Sequence, residues 1–476
     1  MVNRGRPSQD CLPCRVRKLR CDLVPSGCGQ CRRARLRCHG YRNAQDLVFR
    51  DETRATGQKA TLRQACMQAT NRPMSMELGL NTRAEYIFFS LYVSKFSTIL
   101  ETIVPLYQQA SSFDHLSASV EAVSLSFLAN QSHDPNVMFL SRSSYLVAIR
   151  RVRGALNALP ASDVSPTSNV ESLLLSIILL DMYEKVTNRN PQASSSWMSH
   201  AEGGLSLLLS HSGQLISSPM GCRLSARLIS AITVSCGTTV VSVPESIVQL
   251  RGLLDPFLTD IKWRFTGILR QVVNLQVDIR HHVIGDSMID LAERAWYLDK
   301  LLQNLYTTLP PFWKSRKTFL LSPLIPGSHY NVHESHYITQ VTNGIHVMRL
   351  MVNNIILKHI LGETSSNNVL CRTRDIIQEI CASVPQYILS TARLENSVPF
   401  TPLQSLQCYT LLAPLHIAYQ QSAQSNIRDW IIQALRYMSE TGGMKAAQEV
   451  MEIIGNTPDL DYWMVYATIG GYALAA

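Results

Sequence analysis

Six cysteines stand at Cys11, Cys14, Cys21, Cys28, Cys31 and Cys38, a spacing of x2, x6, x6, x2 and x6. The pattern repeats with period 17: CLPCRVRKLRC (11–21) aligns with CGQCRRARLRC (28–38), and six of the eleven positions are identical. A Cys-x2-Cys pair sets two thiolates at the start of a helical turn. Six further residues, about two turns, let the chain bring back a third. Three thiolates do not close a tetrahedral zinc site, which takes four; six serve two ions if two of them bridge. A one-zinc ribbon on Cys11, Cys14, Cys28 and Cys31, with Cys21 and Cys38 idle, remains open on the same residues. A disulfide knot is disfavoured, because MVNRGRPSQD has no apolar stretch of the kind that directs secretion. A module of about thirty residues has no adequate core of its own, and structural zinc supplies folding energy directly.

The elements that hold these cysteines are strongly basic. Residues 1–42 carry eleven Lys or Arg against two acids, Asp10 and Asp22, so the whole net charge of +9 lies there; the rest of the chain balances at 33 of each sign. Such asymmetry marks a nucleic-acid-binding segment. A helix starting near Cys14 would lay Arg15, Arg17, Lys18 and Arg20 toward a DNA groove, where Lys and Arg match the N7 and O6 acceptors of guanine. The clusters RVRKLR and RRARLR would also serve nuclear import.

The cysteine spacing with its basic segment resembles the fungal binuclear zinc-cluster family of transcription factors. The resemblance implies that the six cysteines are the ligands of two zinc ions, with Cys11 and Cys28 the bridging pair. It implies that Lys18 makes the main base contacts, to a CGG triplet, with Arg17 assisting, while Arg15 and Arg20 hold phosphates. It further implies a nuclear, sequence-specific regulator of RNA polymerase II transcription, for a metabolic or biosynthetic gene set. Pro25 lies three residues before Cys28, where the family usually has its proline two before. The domains expected are the zinc cluster at 8–40, a linker at 41–80 and a regulatory domain at 81–476. The linker shows no sustained heptad pattern, so it does not read as a coiled coil, and homodimerisation is left open.

From residue 81 the pattern is helical: Leu291, Ala295, Leu298, Leu302 and Leu305 alternate steps of four and three, as do Met348, Met351, Ile355 and His359. Ala201, Leu205, Leu208 and Leu209 read as one face of another helix. The expectation is a large all-α domain, with TTVVSVP (238–244) the one tempting strand and PLIPGSH (323–329) a loop. ESLLLSIILLDMYEKV (171–186) and SWMSHAEGGLSLLLSHSG (196–213) resemble two recurring stretches of the fungal-specific transcription factor regulatory domain. That resemblance implies coregulators as partners; no small-molecule effector is named by it. The run 173–180 is bracketed by Glu171 and Asp181 and is too short to span a bilayer, so no membrane partner is expected. The remaining cysteines read as small core residues. No phosphate loop, HExxH helix or GxSxG elbow occurs, so an enzyme is not expected. His329, His333 and His336 read as surface histidines.

Overall fold

A computed structural model of the chain describes residues 8–43, 56–57, 59–60, 78–97, 103–111, 113–132, 134–159, 167–188, 196–281, 288–359 and 363–470. The backbone parts into two units, Met1–Glu77 and Leu78–Ala476. Most of the linker lies outside the described residues, and with it Cys66 and the reading that it forms no coiled coil.

In the first unit α1 (Leu12–Val16) begins directly after Cys11, and α2 (Gly29–Arg33) directly after Cys28. Pro13 sits in the first turn of α1, where its missing N–H costs nothing. The two halves share a set of backbone bonds. Leu19 N–H donates to the Cys14 carbonyl at 2.9 Å and Leu36 N–H to the Cys31 carbonyl at 2.9 Å. Lys18 and Arg35, 17 residues apart, both take the left-handed conformation at φ 54°. This corrects the expectation of a helix starting near Cys14: α1 starts at Leu12 and ends at Val16, and Lys18 reverses the chain just beyond it. Of the six residues before Cys21, Arg15 and Val16 end α1 and the other four turn and return, because two full helical turns would carry the third thiol away from the first two.

The second unit is largely helical. It opens with α3 (Leu80–Ile87), which continues as a π-helical segment (Phe88–Phe96), then α4 (Ile103–Gln109), α5 (His115–Ser132), α6 (Pro135–Ala158) and α7 (Thr167–Thr187). Next come α8 (Ser196–Ser210), α9 (Ser212–Ile216), α10 (Pro219–Thr239), α11 (Glu245–Leu254), α12 (Ile261–Arg280) and α13 (Met288–Thr307). A hairpin of β1 (Arg316–Phe319) and β2 (His329–Val332) follows, antiparallel, with Arg316 opposite Val332 and Phe319 opposite His329. The chain closes with α14 (His336–His359), α15 (Glu363–Ala382), α16 (Pro385–Ile388), α17 (Pro402–Gln421), α18 (Ser425–Glu440), α19 (Lys445–Asn456) and α20 (Tyr462–Thr468).

α7 carries the 173–180 run and is buried almost along its whole length, as a central helix must be if it is apolar all round. Among the described residues no helix is long and apolar enough to cross a membrane. Ala295, Leu298, Leu302 and Leu305 are buried, as are Met348, Met351 and Ile355, so both stripes pack into the core. The His359 side chain lies outside what the structure describes.

Several expectations are corrected. The domain is largely helical, as expected, with a hairpin added at 316–332, partly where a loop was expected. TTVVSVP is no strand, since α10 runs to Thr239 and Val240 turns left-handed. Leu209 is exposed and Leu207 faces the core instead. Cys371 is exposed, whereas Cys222, Cys236, Cys381 and Cys408 are buried. His333 and His336 are buried rather than on the surface. His336 Nε2 meets the Phe96 carbonyl at 2.6 Å and stacks on the Phe96 ring, and Arg393 donates to the His333 carbonyl at 2.7 Å. Burial, with Arg393 adding to it, pushes His333 down to about 4. These are hydrogen-bonded core histidines.

One charged cluster ties three long helices together. Asp299 of α13 is 1% exposed and accepts from Arg349 of α14 at 2.8 Å and Arg372 of α15 at 3.0 Å. Removing the carboxylate leaves a buried guanidinium without its counter-charge. Asp299→Ala is expected to destabilise the helical unit by about 3–5 kcal/mol. Urea denaturation followed by circular dichroism checks it; an unchanged midpoint contradicts it.

Candidate metal centre

Among its described residues, the first unit has almost no carbon core. Cys11, Cys14, Cys21, Cys28 and Cys31 are buried, and only Cys38 and Tyr41 pack against them. Their sulfurs form two groups, Cys11–Cys14–Cys21–Cys28 and Cys11–Cys28–Cys31–Cys38, each with all sulfurs within 4.8 Å of one another. Cys11 and Cys28 belong to both. The Sγ of Cys11 lies 3.6 Å from those of Cys28 and Cys31 and 3.8 Å from that of Cys21, and Cys14 lies 3.5 Å from Cys28. Four sulfurs around one tetrahedral ion at about 2.3 Å stand about 3.8 Å apart, whereas a disulfide brings two within about 2.05 Å. The spacing therefore fits metal thiolates and excludes disulfides among these six.

The electrostatics point the same way. Burial raises the Cys14 and Cys31 thiols, the latter to about 12, with Cys28 adding to both. Burial also works against ionising Cys28, but the Cys31 N–H, 3.3 Å from its sulfur, and neighbouring thiols outweigh it and bring it to about 6. Six thiolates in one small volume repel one another, so the set needs a cation to ionise together.

The surrounding chain holds the two halves in register. Both carboxylate oxygens of Asp22 accept from the Gly29 N–H, at 3.1 and 2.8 Å, which caps α2 from the loop between the halves. A Cβ at residue 29 would lie 2.6 Å from Asp22 Oδ2, so glycine is required for the approach. Tyr41 donates its hydroxyl to the Val24 carbonyl, and the Arg42 N–H reaches the Gln9 carbonyl at 3.2 Å, closing the two ends together. Sequence reasoning did not single out Asp22 or Tyr41. Asp22 had a signal in hindsight, as one of two acids in a stretch otherwise basic.

The chain matches no family model, no curated protein and no solved structure. The geometry stands alone: six cysteines that fit a zinc-cluster motif and can bind metal, ahead of a largely helical body.

Around the sulfurs, Arg17, Lys18 and Arg20 are exposed, as are Arg32, Arg33, Arg35 and Arg37. Arg15 is half-buried, and its Nε is buried with no hydrogen-bond partner among the described residues. His39 is exposed and belongs to neither sulfur group.

Asp22→Ala removes the only side chain seen to cap the Gly29 amide. Exchange of that amide is expected to speed up on the order of tenfold, since a bond to a charged acceptor contributes about 1.5–3 kcal/mol. Hydrogen–deuterium exchange read by NMR checks it, and an unchanged rate shows that the carboxylate does not hold the loop.

Proposed function

We propose that this chain is a zinc-dependent, sequence-specific DNA-binding transcription factor of the fungal binuclear zinc-cluster type, acting by binding rather than catalysis, in the nucleus. The observation that carries the reading is the pair of four-sulfur groups sharing Cys11 and Cys28. On this reading Cys11, Cys14, Cys21, Cys28, Cys31 and Cys38 hold two zinc ions, with Cys11 and Cys28 each serving both. The quartet required by a one-zinc ribbon is not among those groups, and Cys21 is buried among the sulfurs rather than idle. Zinc, when bound, supplies Lewis acidity that keeps the thiolates ionised and gives a small unit its folding energy.

The chain's own residues then do the reading. Lys18 stands exposed where the left-handed turn ends α1, with Arg17 beside it. Lys18, assisted by Arg17, donates to guanine acceptors of a CGG-type triplet in the major groove. Arg20 and Arg15 contact phosphates, which fix position without reading sequence. The charge of +9 confined to residues 1–42 supports a polyanionic partner, because a protein-binding zinc module needs no such field. The helical unit would carry regulation and meet coregulators.

Metal analysis of the full-length protein purified with zinc is expected to give two zinc ions per chain; one per chain would restore the ribbon reading. Selection from random duplex DNA at physiological salt is expected to enrich CGG or CCG triplets. Lys18→Ala should lose that preference, by about 1–3 kcal/mol of discrimination, while keeping salt-sensitive binding. Equal loss on every DNA sequence would refute the base-reading role.

A further inference from the structure

A cavity of about 140 Å³ lies inside the helical unit, where α7, α10, α12, α14, α17 and α20 converge. Small residues line part of it. Gly344 of α14 brings its backbone to Phe265 of α12, where a Cβ would lie 3.1 Å from the ring. Ala231 of α10 and Ala413 of α17 line the wall, and beside Ala413 stands Pro414, a proline inside its helix that cannot donate to the carbonyl of Thr410. Aromatic and aliphatic side chains make up most of the rest, among them Phe265, Met348 and Trp463.

The charged groups in this wall are mostly cationic. Lys185, Arg227 and Lys262 all line the cavity, against one lining acid, Asp181. Asp181 already holds Lys185 in an i,i+4 ion pair with both side chains buried. The next acid near Lys262, Asp260, is engaged as the cap of α12, accepting from the Trp263 N–H at 3.0 Å. The Lys262 Nζ is fully buried and has no hydrogen-bond partner among the described residues; it stands 5.9 Å from the centre of the Tyr337 ring. Burial, with Arg227 beside it, brings this ammonium down to about 7. A lysine so placed is costly in an apolar pocket unless something supplies the missing acceptor.

We propose that this cavity is a binding site for a small apolar carboxylate, whose anionic end meets Lys262 and Arg227 and whose hydrocarbon body lies against Phe265, Met348 and Trp463. The volume sets the size. A dry cavity of about 150 Å³ takes a benzene ring, so the ligand has roughly six to ten non-hydrogen atoms. One oxygen of Asp181 is also buried with no hydrogen bond, so a hydroxyl on the ligand would find an acceptor there. The ammonium of Lys262 selects an anion over a neutral molecule of the same shape, because only an anion gives that group a counter-charge. The site belongs wholly to the second unit and does not depend on what the cysteine unit binds.

The test uses the full-length protein with benzoate, 4-hydroxybenzoate and octanoate as probes, each beside its amide, by isothermal titration calorimetry with intrinsic tryptophan fluorescence as a second readout. At least one acid is expected to bind with Kd below roughly 1 mM and its amide at least about tenfold more weakly. Lys262→Met should weaken that acid by about tenfold or more while leaving the unliganded protein as stable as before or more so, since it removes an uncompensated buried charge. Lys262→Arg, which keeps the charge, should retain binding. Three results each overturn the proposal: no binding by any of the acids, equal binding of acid and amide, or undiminished binding by a folded Lys262→Met protein.

Discussion

Residues 8–43 are organised around sulfur. Five buried cysteines, with Cys38 and Tyr41 beside them, are all that this stretch has in place of a hydrophobic core. Burial of so few side chains cannot offset the backbone entropy of ordering a stretch of that length, which runs to roughly 1–2 kcal/mol per residue. Thiols alone do not close the gap, because they are weak donors and weak acceptors. The fold of this unit therefore depends on whatever draws the sulfurs to distances of 3.5–3.8 Å, and metal coordination is the interaction that matches both the distances and the donor type.

That constraint explains the backbone around it. Each half must deliver two sulfurs from one turn and then bring back a third, within eleven residues. The chain does so with a single helical turn closed by a non-glycine residue in the left-handed region, Lys18 in one half and Arg35 in the other. Such a conformation costs roughly 1–2 kcal/mol and persists only where the surroundings fix it. Its occurrence at both repeat positions assigns it to the return of the third cysteine and not to a special task at Lys18. The same turn nevertheless leaves the Lys18 side chain outside the sulfur cluster at a helix end, so a structural requirement and an exposed cation coincide.

The sequence made the sulfur geometry legible because metal ligation is written in residue type and spacing, and the period of 17 survives as a two-fold pattern of hydrogen bonds. The length of α1 was not legible. Arg15 through Arg20 are all compatible with helix by propensity, and what stops the helix at Val16 is the location of Cys21 in space, which no local preference encodes. In the helical unit the stripes at 291–305 and 348–355 were readable as buried faces by their period. The hairpin was not: RKTF carries no alternation, and its pairing with HYNV is fixed by a turn and by packing across the sheet. The histidines of HYNVHESHY misled for a similar reason. Their polarity argued for the surface, yet Phe96, Gln386 and Arg393, all distant in sequence from one or both, satisfy them inside.

The two units thus solve opposite problems. The first has too little core and uses a polar donor set to make one. The second has ample core and still keeps ionic groups within it. Where those groups are matched, as Arg349 and Arg372 are on Asp299, they fix how α13, α14 and α15 pack. Where α7, α10, α12, α14, α17 and α20 converge a cavity is left among them, and Lys262 lines it. A core built only for stability would fill such a space with an aliphatic side chain, which is often neutral or favourable in exchange for a buried charge. Keeping both the void and the cation together sacrifices stability at one place, and that is the pattern expected where a fold trades packing for recognition.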